Sequence, residues 1–147
     1  MNNKIAPQTI DSLVNQALVV RSRAHAPYSR FHVGAALLTS TGESFAGCNV
    51  ENASFSLTLC AERVAAATAV AGGNTRWLAI AVASLGGATP CGACRQFLAE
   101  FGHDLLVITV DVQSKQVKRF QLSTLLPYAF DQTALPDAAL RNLDPKI

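Results

Sequence analysis

Leu105-Leu106-Val107-Ile108-Thr109-Val110-Asp111-Val112-Gln113-Ser114-Lys115-Gln116-Val117-Lys118-Arg119-Phe120-Gln121 is the stretch that settles the fold. Leu105 to Val110 is a short apolar run, the pattern of a strand covered on both faces. Val117 to Gln121 reads as a further strand. Only Gln113 to Gln116 lie between the two. Parallel neighbours need a crossover of a dozen or more residues, whereas antiparallel neighbours need only a tight turn. The last strand therefore runs antiparallel to the one before it.

The same logic extends towards the N-terminus. Trp77 to Ser84, WLAIAVAS, is a continuous apolar strand. It is followed by a loop, Leu85 to Pro90, and a helix, Cys91 to Phe101, ended by Gly102. Thr58 to Ala71 reads as a helix ended by Gly72-Gly73-Asn74. Its run Val64 to Ala71 has one polar side chain, and a helix apolar all round is a buried one. Residues 31–40 and about 44–49 form two strands joined at Thr41-Gly42, a turn signal. Val50 to Leu57 is polar and without period, so a loop. Ile10, Leu13, Val14, Ala17 and Leu18 recur at helical spacing, which predicts an amphipathic helix from Pro7 to about Ala24. A short helix is expected at Ser123–Leu126. One domain over 1–147 is expected, with its core over about 7–130 and a loose tail over 131–147.

Composition narrows the function. Half of the 147 residues are hydrophobic, and mean hydropathy is +0.24. So much apolar surface in so small a chain implies burial between subunits as well as within one. Net charge is +2, and no run of Lys or Arg exceeds Lys118-Arg119; a nucleic-acid binder shows a basic stripe. No apolar run is long enough to span a bilayer. The start, MNNKIAPQTIDS, carries no apolar core and no small-residue cleavage site of a secretory leader. A cytoplasmic location is expected, where clustered cysteines bind metal or do chemistry more often than they form disulfides.

The chemistry sits in Cys60-Ala61-Glu62-Arg63 and Pro90-Cys91-Gly92-Ala93-Cys94-Arg95, each at the start of a predicted helix. Cys91 and Cys94 are one turn apart and share a face. Helix starts present free N–H groups that favour thiolates. Cys91-x-x-Cys94 alone is as readily a redox pair as a metal site; Cys60 and Glu62 tip it to zinc. Three thiols leave the fourth position of a Zn²⁺ for water, the layout of a catalytic site. Glu62 stands where a proton carrier is needed. Three thiolates leave a zinc site at −1, and the Arg63 guanidinium is placed to withdraw charge from the sulfurs. Arg95 is either a second such donor or an ordinary helix charge. Cys48 reads as a small buried residue at a strand end.

At these residues the chain resembles the small zinc-dependent cytidine deaminases that act on free nucleosides. The likeness covers Ala26-Pro27-Tyr28-Ser29-Arg30-Phe31, Val33-Gly34-Ala35-Ala36, Gly47 to Ala53, Cys60 to Arg63, Pro90 to Gln96 and Leu125-Leu126-Pro127-x-x-Phe130. A Glu beside one ligand followed by P-C-x-x-C is the signature of zinc deaminases. The resemblance implies a three-layer α/β/α sandwich around a five-stranded mixed sheet, and a homotetramer with sites shared between subunits. It implies one Zn²⁺ per chain on Cys60, Cys91 and Cys94, with Glu62 as the proton shuttle. Asn49 and Glu51 would bind the ribose. The Ala61 N–H would meet the pyrimidine carbonyl, and Phe31 would stack on the base. Phe130 would reach a neighbouring subunit's site, with Phe55 along the same edge. Phe55 stands where members often carry Tyr, and Thr89 where Ser is frequent. The sequence beyond Phe130 lies outside the shared pattern.

The implied reaction is hydrolysis of cytidine and 2′-deoxycytidine to the uridine products and ammonia. Three rivals stay open: a deaminase of nucleic-acid bases, a deaminase of another aminopyrimidine such as an antibiotic, and a structural zinc module closed by Cys48. The short turn before Val117 and the missing basic stripe argue against the first. Asn49, Glu51 and Phe130 argue against the second, and the position of Cys48 against the third.

Overall fold

A computed structural model describes residues 5–135. Five strands form one sheet in the order β2-β1-β3-β4-β5: β1 is Gly34–Thr39, β2 Ser44–Cys48, β3 Trp77–Ser84, β4 Leu106–Asp111 and β5 Val117–Gln121. Only β3 and β4 are parallel; β1 pairs antiparallel with β2 and with β3. β5 is antiparallel to β4, with Val110 opposite Val117, as the short turn requires.

Helix α1 (Pro7–Arg21) covers one face. Helices α2 (Ala61–Ala71), α3 (Gly92–Ala99) and the single-turn α4 (Leu122–Leu125) cover the other. Alternation along the strands divides two cores. Ile10, Leu13 and Ala17 of α1 meet Ala36, Leu38, Ala79, Ala81, Ala83, Ile108 and Val110. Opposite them, Ala35, Leu37, Ile80, Val82 and Val107 pack on α2 and α3. Trp77 breaks the alternation and lies on the side of Ile80. A register shift between Leu38 and Thr39 turns it over, and its ring stacks on Phe101 at 4.0 Å.

Small residues bring helices down onto the sheet. β3 offers three fully buried alanines, Ala79, Ala81 and Ala83, to the core under α1, with Leu78 packed against its edge. On the other face α2 presents Ala61, Ala65, Ala66 and Ala69, all fully buried. Gly47 of β2 lies under α2: a Cβ there would stand 2.8 Å from the Ala61 carbonyl oxygen and closer still to Ala65 N. Helix and strand meet backbone to backbone.

Several expected boundaries move. Helix α1 ends at Arg21, not Ala24, with Ser22 as its C-cap. β1 begins at Gly34 because the Phe31–Val33 backbone is held by Asn49 instead of a neighbouring strand. Residues Phe55–Leu57 of the expected loop form a 3₁₀ turn. Helix α2 is not buried all round: Ala67, Thr68 and Val70 lie exposed in the single chain, because the alanine stripe occupies one side only. The expected loose tail starts with a 3₁₀ turn at Gln132–Ala134, where the Asp131 carboxylate accepts from Thr133 N–H. The rest of the expected tail, 136–147, lies outside the described residues.

Candidate functional site

Both predicted metal motifs open helices, three residues and one residue later than expected. Cys60 is the N-cap of α2 and Cys91 the N-cap of α3, both with extended backbone and neither capping through its side chain. Ser or Asp in that position would turn inward to bond the first turn. A thiol makes a poor cap, so both sulfurs stay free to face a common centre. Cys94, one turn on, is fully buried. The three Sγ atoms lie within 4.8 Å of one another, and Cys60 Sγ is 4.0 Å from Cys91 Sγ. Tetrahedral zinc with bonds of ~2.3 Å needs sulfurs ~3.8 Å apart. The donor set fits Zn²⁺, and Cys91, exposed at the surface, leaves one side of it open. No other His, Cys, Asp or Glu joins this cluster among the described residues. Cys48 is a half-buried free thiol outside it, so the closed structural site lacks its fourth ligand.

The electrostatics are those of thiols crowded at two helix starts. Cys60 is held down to about 5, chiefly by a hydrogen bond from Cys94, then by Arg63 and Cys91. Cys94 is pushed up by giving that bond and by burial. Glu62 is 5% exposed, and burial lifts its carboxyl to about 7; the Cys60 charge adds to this, against its own backbone N–H and Arg63. Arg63 gives one N–H to Thr58 O at 3.1 Å and faces Cys60 Sγ at 3.8 Å. Its Nε is buried without a partner.

The remaining predicted residues fall into two groups. Asn49, 8% exposed, accepts from Val33 N–H and donates to Phe31 O, both at 2.8 Å. Glu51 accepts from Tyr28 N–H at 2.9 Å, from Ser29 N–H at 3.2 Å and from the Ser29 hydroxyl. That hydroxyl, first among its contacts, holds the carboxyl below the usual range. The Ser29 hydroxyl also accepts from Phe31 N–H at 3.0 Å. The turn from Ala26 to Phe31 is thus wrapped on Asn49 and Glu51, a role for Ser29 that nothing local in the sequence announces. Phe31 is partly exposed, and Phe55, 72% exposed, meets Tyr28 edge to face at 5.5 Å. Ala61, fully buried, is the first residue of α2, where N–H groups lack helical acceptors.

Phe130 does not join this group. It lies at the other end of α3, lining a cavity of about 390 Å³ with Ala99 to His103 and Asp131 to Thr133. Arg95 touches no sulfur; it bonds Pro90 O, Thr89 and Leu125 O instead.

The sequence model for the cytidine and deoxycytidylate deaminase zinc-binding region matches residues 7–110. The chain belongs to that deaminase family. It is 39% identical over 132 residues to a cytidine deaminase of Sporosarcina psychrophila, covering 88% of this chain and 97% of that one. It is 45% identical over 138 residues to a probable cytidine deaminase of Dictyostelium discoideum, covering 92% and 90%. Among solved structures, the cytidine deaminase of Burkholderia pseudomallei superposes with a TM-score of 0.78 at 46% identity, over 82% of this chain and 98% of the other. The matched family model is that of a zinc-binding region, and the three-thiol cluster of this member is compatible with such a site.

Proposed function

We propose that this deaminase hydrolyses cytidine and 2′-deoxycytidine to uridine and 2′-deoxyuridine, consuming one water and releasing one ammonia. The observation that carries the reading is the three-thiol cluster, open on one side, beside a carboxyl buried to 5% exposure. Cys60, Cys91 and Cys94 would hold the zinc, which would supply a water acidic enough to attack near neutral pH. Glu62 takes the proton of that water and delivers it to N3 of the ring. It then passes a proton to the departing 4-amino group, as a general acid–base with a pKa near the working pH does best. Arg63 offsets the surplus charge of three thiolates.

The resemblance supplies the substrate side. Phe31 stacks on the base, the Ala61 N–H meets the pyrimidine carbonyl, and Asn49 and Glu51 take the ribose. Glu51 gives up part of its hold on Ser29 to do so. Phe130 and Phe55 complete the site of a neighbouring subunit in a homotetramer. Exposed apolar residues support that assembly: Phe55 at 72%, Leu57 at 63% and Phe130 at 62%. No helix among the described residues is long and apolar enough to cross a membrane, and the proposed location is cytoplasmic.

The test follows the loss of cytidine absorbance with zinc-loaded protein, paired with Glu62→Gln. Wild-type turnover with a zinc-replete, inactive Glu62→Gln is the expected result. A Glu62→Gln enzyme with near-normal rate removes Glu62 from its role. Zinc-replete wild type inert on both nucleosides removes the substrate assignment. Molar mass in solution checks the tetramer.

A further inference from the structure

Arg95 sits on α3 directly after a metal-site thiol, yet its guanidinium turns away from the sulfurs. Nε donates to Pro90 O at 2.7 Å, Nη2 to Thr89 Oγ1 at 3.0 Å and Nη1 to Leu125 O at 2.7 Å. All three nitrogens are used, and the rigid fork fixes the three acceptors relative to one another. No carboxylate pairs with Arg95 in these contacts. Two of the acceptors form the turn that delivers Cys91. The third closes α4, 30 positions along the chain.

The neighbouring residue completes the arrangement. Gln96 Nε2 donates to Phe130 O at 2.7 Å. Adjacent residues of α3 therefore hold both ends of the segment from Leu125 to Phe130. Inside it Tyr128 has φ 56, the left-handed region that a tyrosine seldom occupies. Such a conformation persists where its surroundings over-determine it, and the two anchors do so.

We propose that Arg95 is a positioning residue that locks the Thr89-Pro90-Cys91 turn to the segment bearing Phe130, with Gln96 fixing the far end of that segment. Cys91 and Phe130 then depend on one guanidinium, although they lie at opposite ends of α3. The proposal rests on reading Cys91 as a zinc ligand and Phe130 as a substrate-side residue.

The experiment uses zinc-loaded protein and two readouts: the rate of zinc release to a chromogenic chelator, and KM against kcat for cytidine. Arg95→Lys keeps the charge and stem but cannot span three acceptors. It should release zinc about tenfold faster or more, the lower range for groups that orient metal ligands, and raise KM. Thr89→Val deletes one acceptor at constant shape and should speed release alone. Gln96→Met should raise KM and leave release unchanged. The Thr89→Val/Arg95→Lys double variant should release no faster than Arg95→Lys, since both act on one contact. Wild-type release and KM in Arg95→Lys overturn the proposal. So does a double variant whose effect is the product of the two singles. If Arg95→Lys does not fold, unchanged release in Thr89→Val overturns it. Phe130→Ala is the control for the underlying reading: a wild-type KM there removes Phe130 from the substrate side, and zinc release still decides whether Arg95 holds the Cys91 turn.

Discussion

Gly47→Ala should slow catalysis without touching any reacting group. The added methyl would stand 2.8 Å from Ala61 O and 2.9 Å from the Val64 carbonyl carbon, about half an ångström inside ordinary contact, and nearer still to Ala65 N. All three are backbone atoms of α2, so no side chain can swing aside. The helix must lift or tilt by roughly half to one ångström, and Cys60, Ala61 and Glu62 move with it. Overpacking of this kind costs about 1–3 kcal/mol of stability. A misplacement near 1 Å at a catalytic group costs up to about a hundredfold in rate. The expected result is a lower urea midpoint and a kcat on cytidine reduced about tenfold to a hundredfold. Steady-state kinetics on zinc-replete protein, with urea unfolding beside it, measure both. A Gly47→Ala enzyme with kcat within about twofold of wild type would refute the claim that backbone contact sets the height of α2.

Other outcomes follow from the same site. Arg63→Gln should release zinc faster or turn over more slowly, since the Cys60 sulfur loses its cationic neighbour at 3.8 Å; chelator competition and kcat read it. Asn49→Ala removes two bonds that hold the Phe31–Val33 backbone, which should cost about 2–3 kcal/mol in unfolding and raise KM. Asp111 lies at about 2, below its ordinary 3.8, chiefly through the Ser114 hydroxyl and the N–H groups of Gln113 and Gly86. A depressed carboxyl stabilises the fold above its unfolded pKa and loses that effect as pH falls towards its folded one. The gap in thermal midpoint between wild type and Asp111→Asn should therefore be largest above pH ~4 and shrink below it.

The sheet was legible where burial leaves one reading. Trp77–Ser84 is apolar on both faces, and four residues between two strands permit only a hairpin. Helix starts were less legible, because Cys60 and Cys91 occupy N-caps without being capping residues. Sequence patterns register the preferences of Ser, Thr, Asp and Asn there, and a thiol gives no such signal. The metal cluster was legible since its spacing of thiols and carboxyl is unusual. Arg95 was not: its partners are two backbone carbonyls and a hydroxyl, and carbonyls carry no side-chain signature. The engagement of Asn49 and Glu51 with the turn at Tyr28 to Val33 was hidden for the same reason.

The two helix starts that supply the thiols lie 31 positions apart, and between them run all of α2 and β3. A metal gripping both ends turns that stretch into a closed ring. In the chain-entropy picture a ring of this size removes about 3–4 kcal/mol of freedom from the unfolded chain. The ring encloses the central strand, with β1 on one side and β4 on the other. Chelation would open it, and the chain should then lose its resistance to urea together with its chemistry. The ion is in this sense a removable staple through the middle of the sheet.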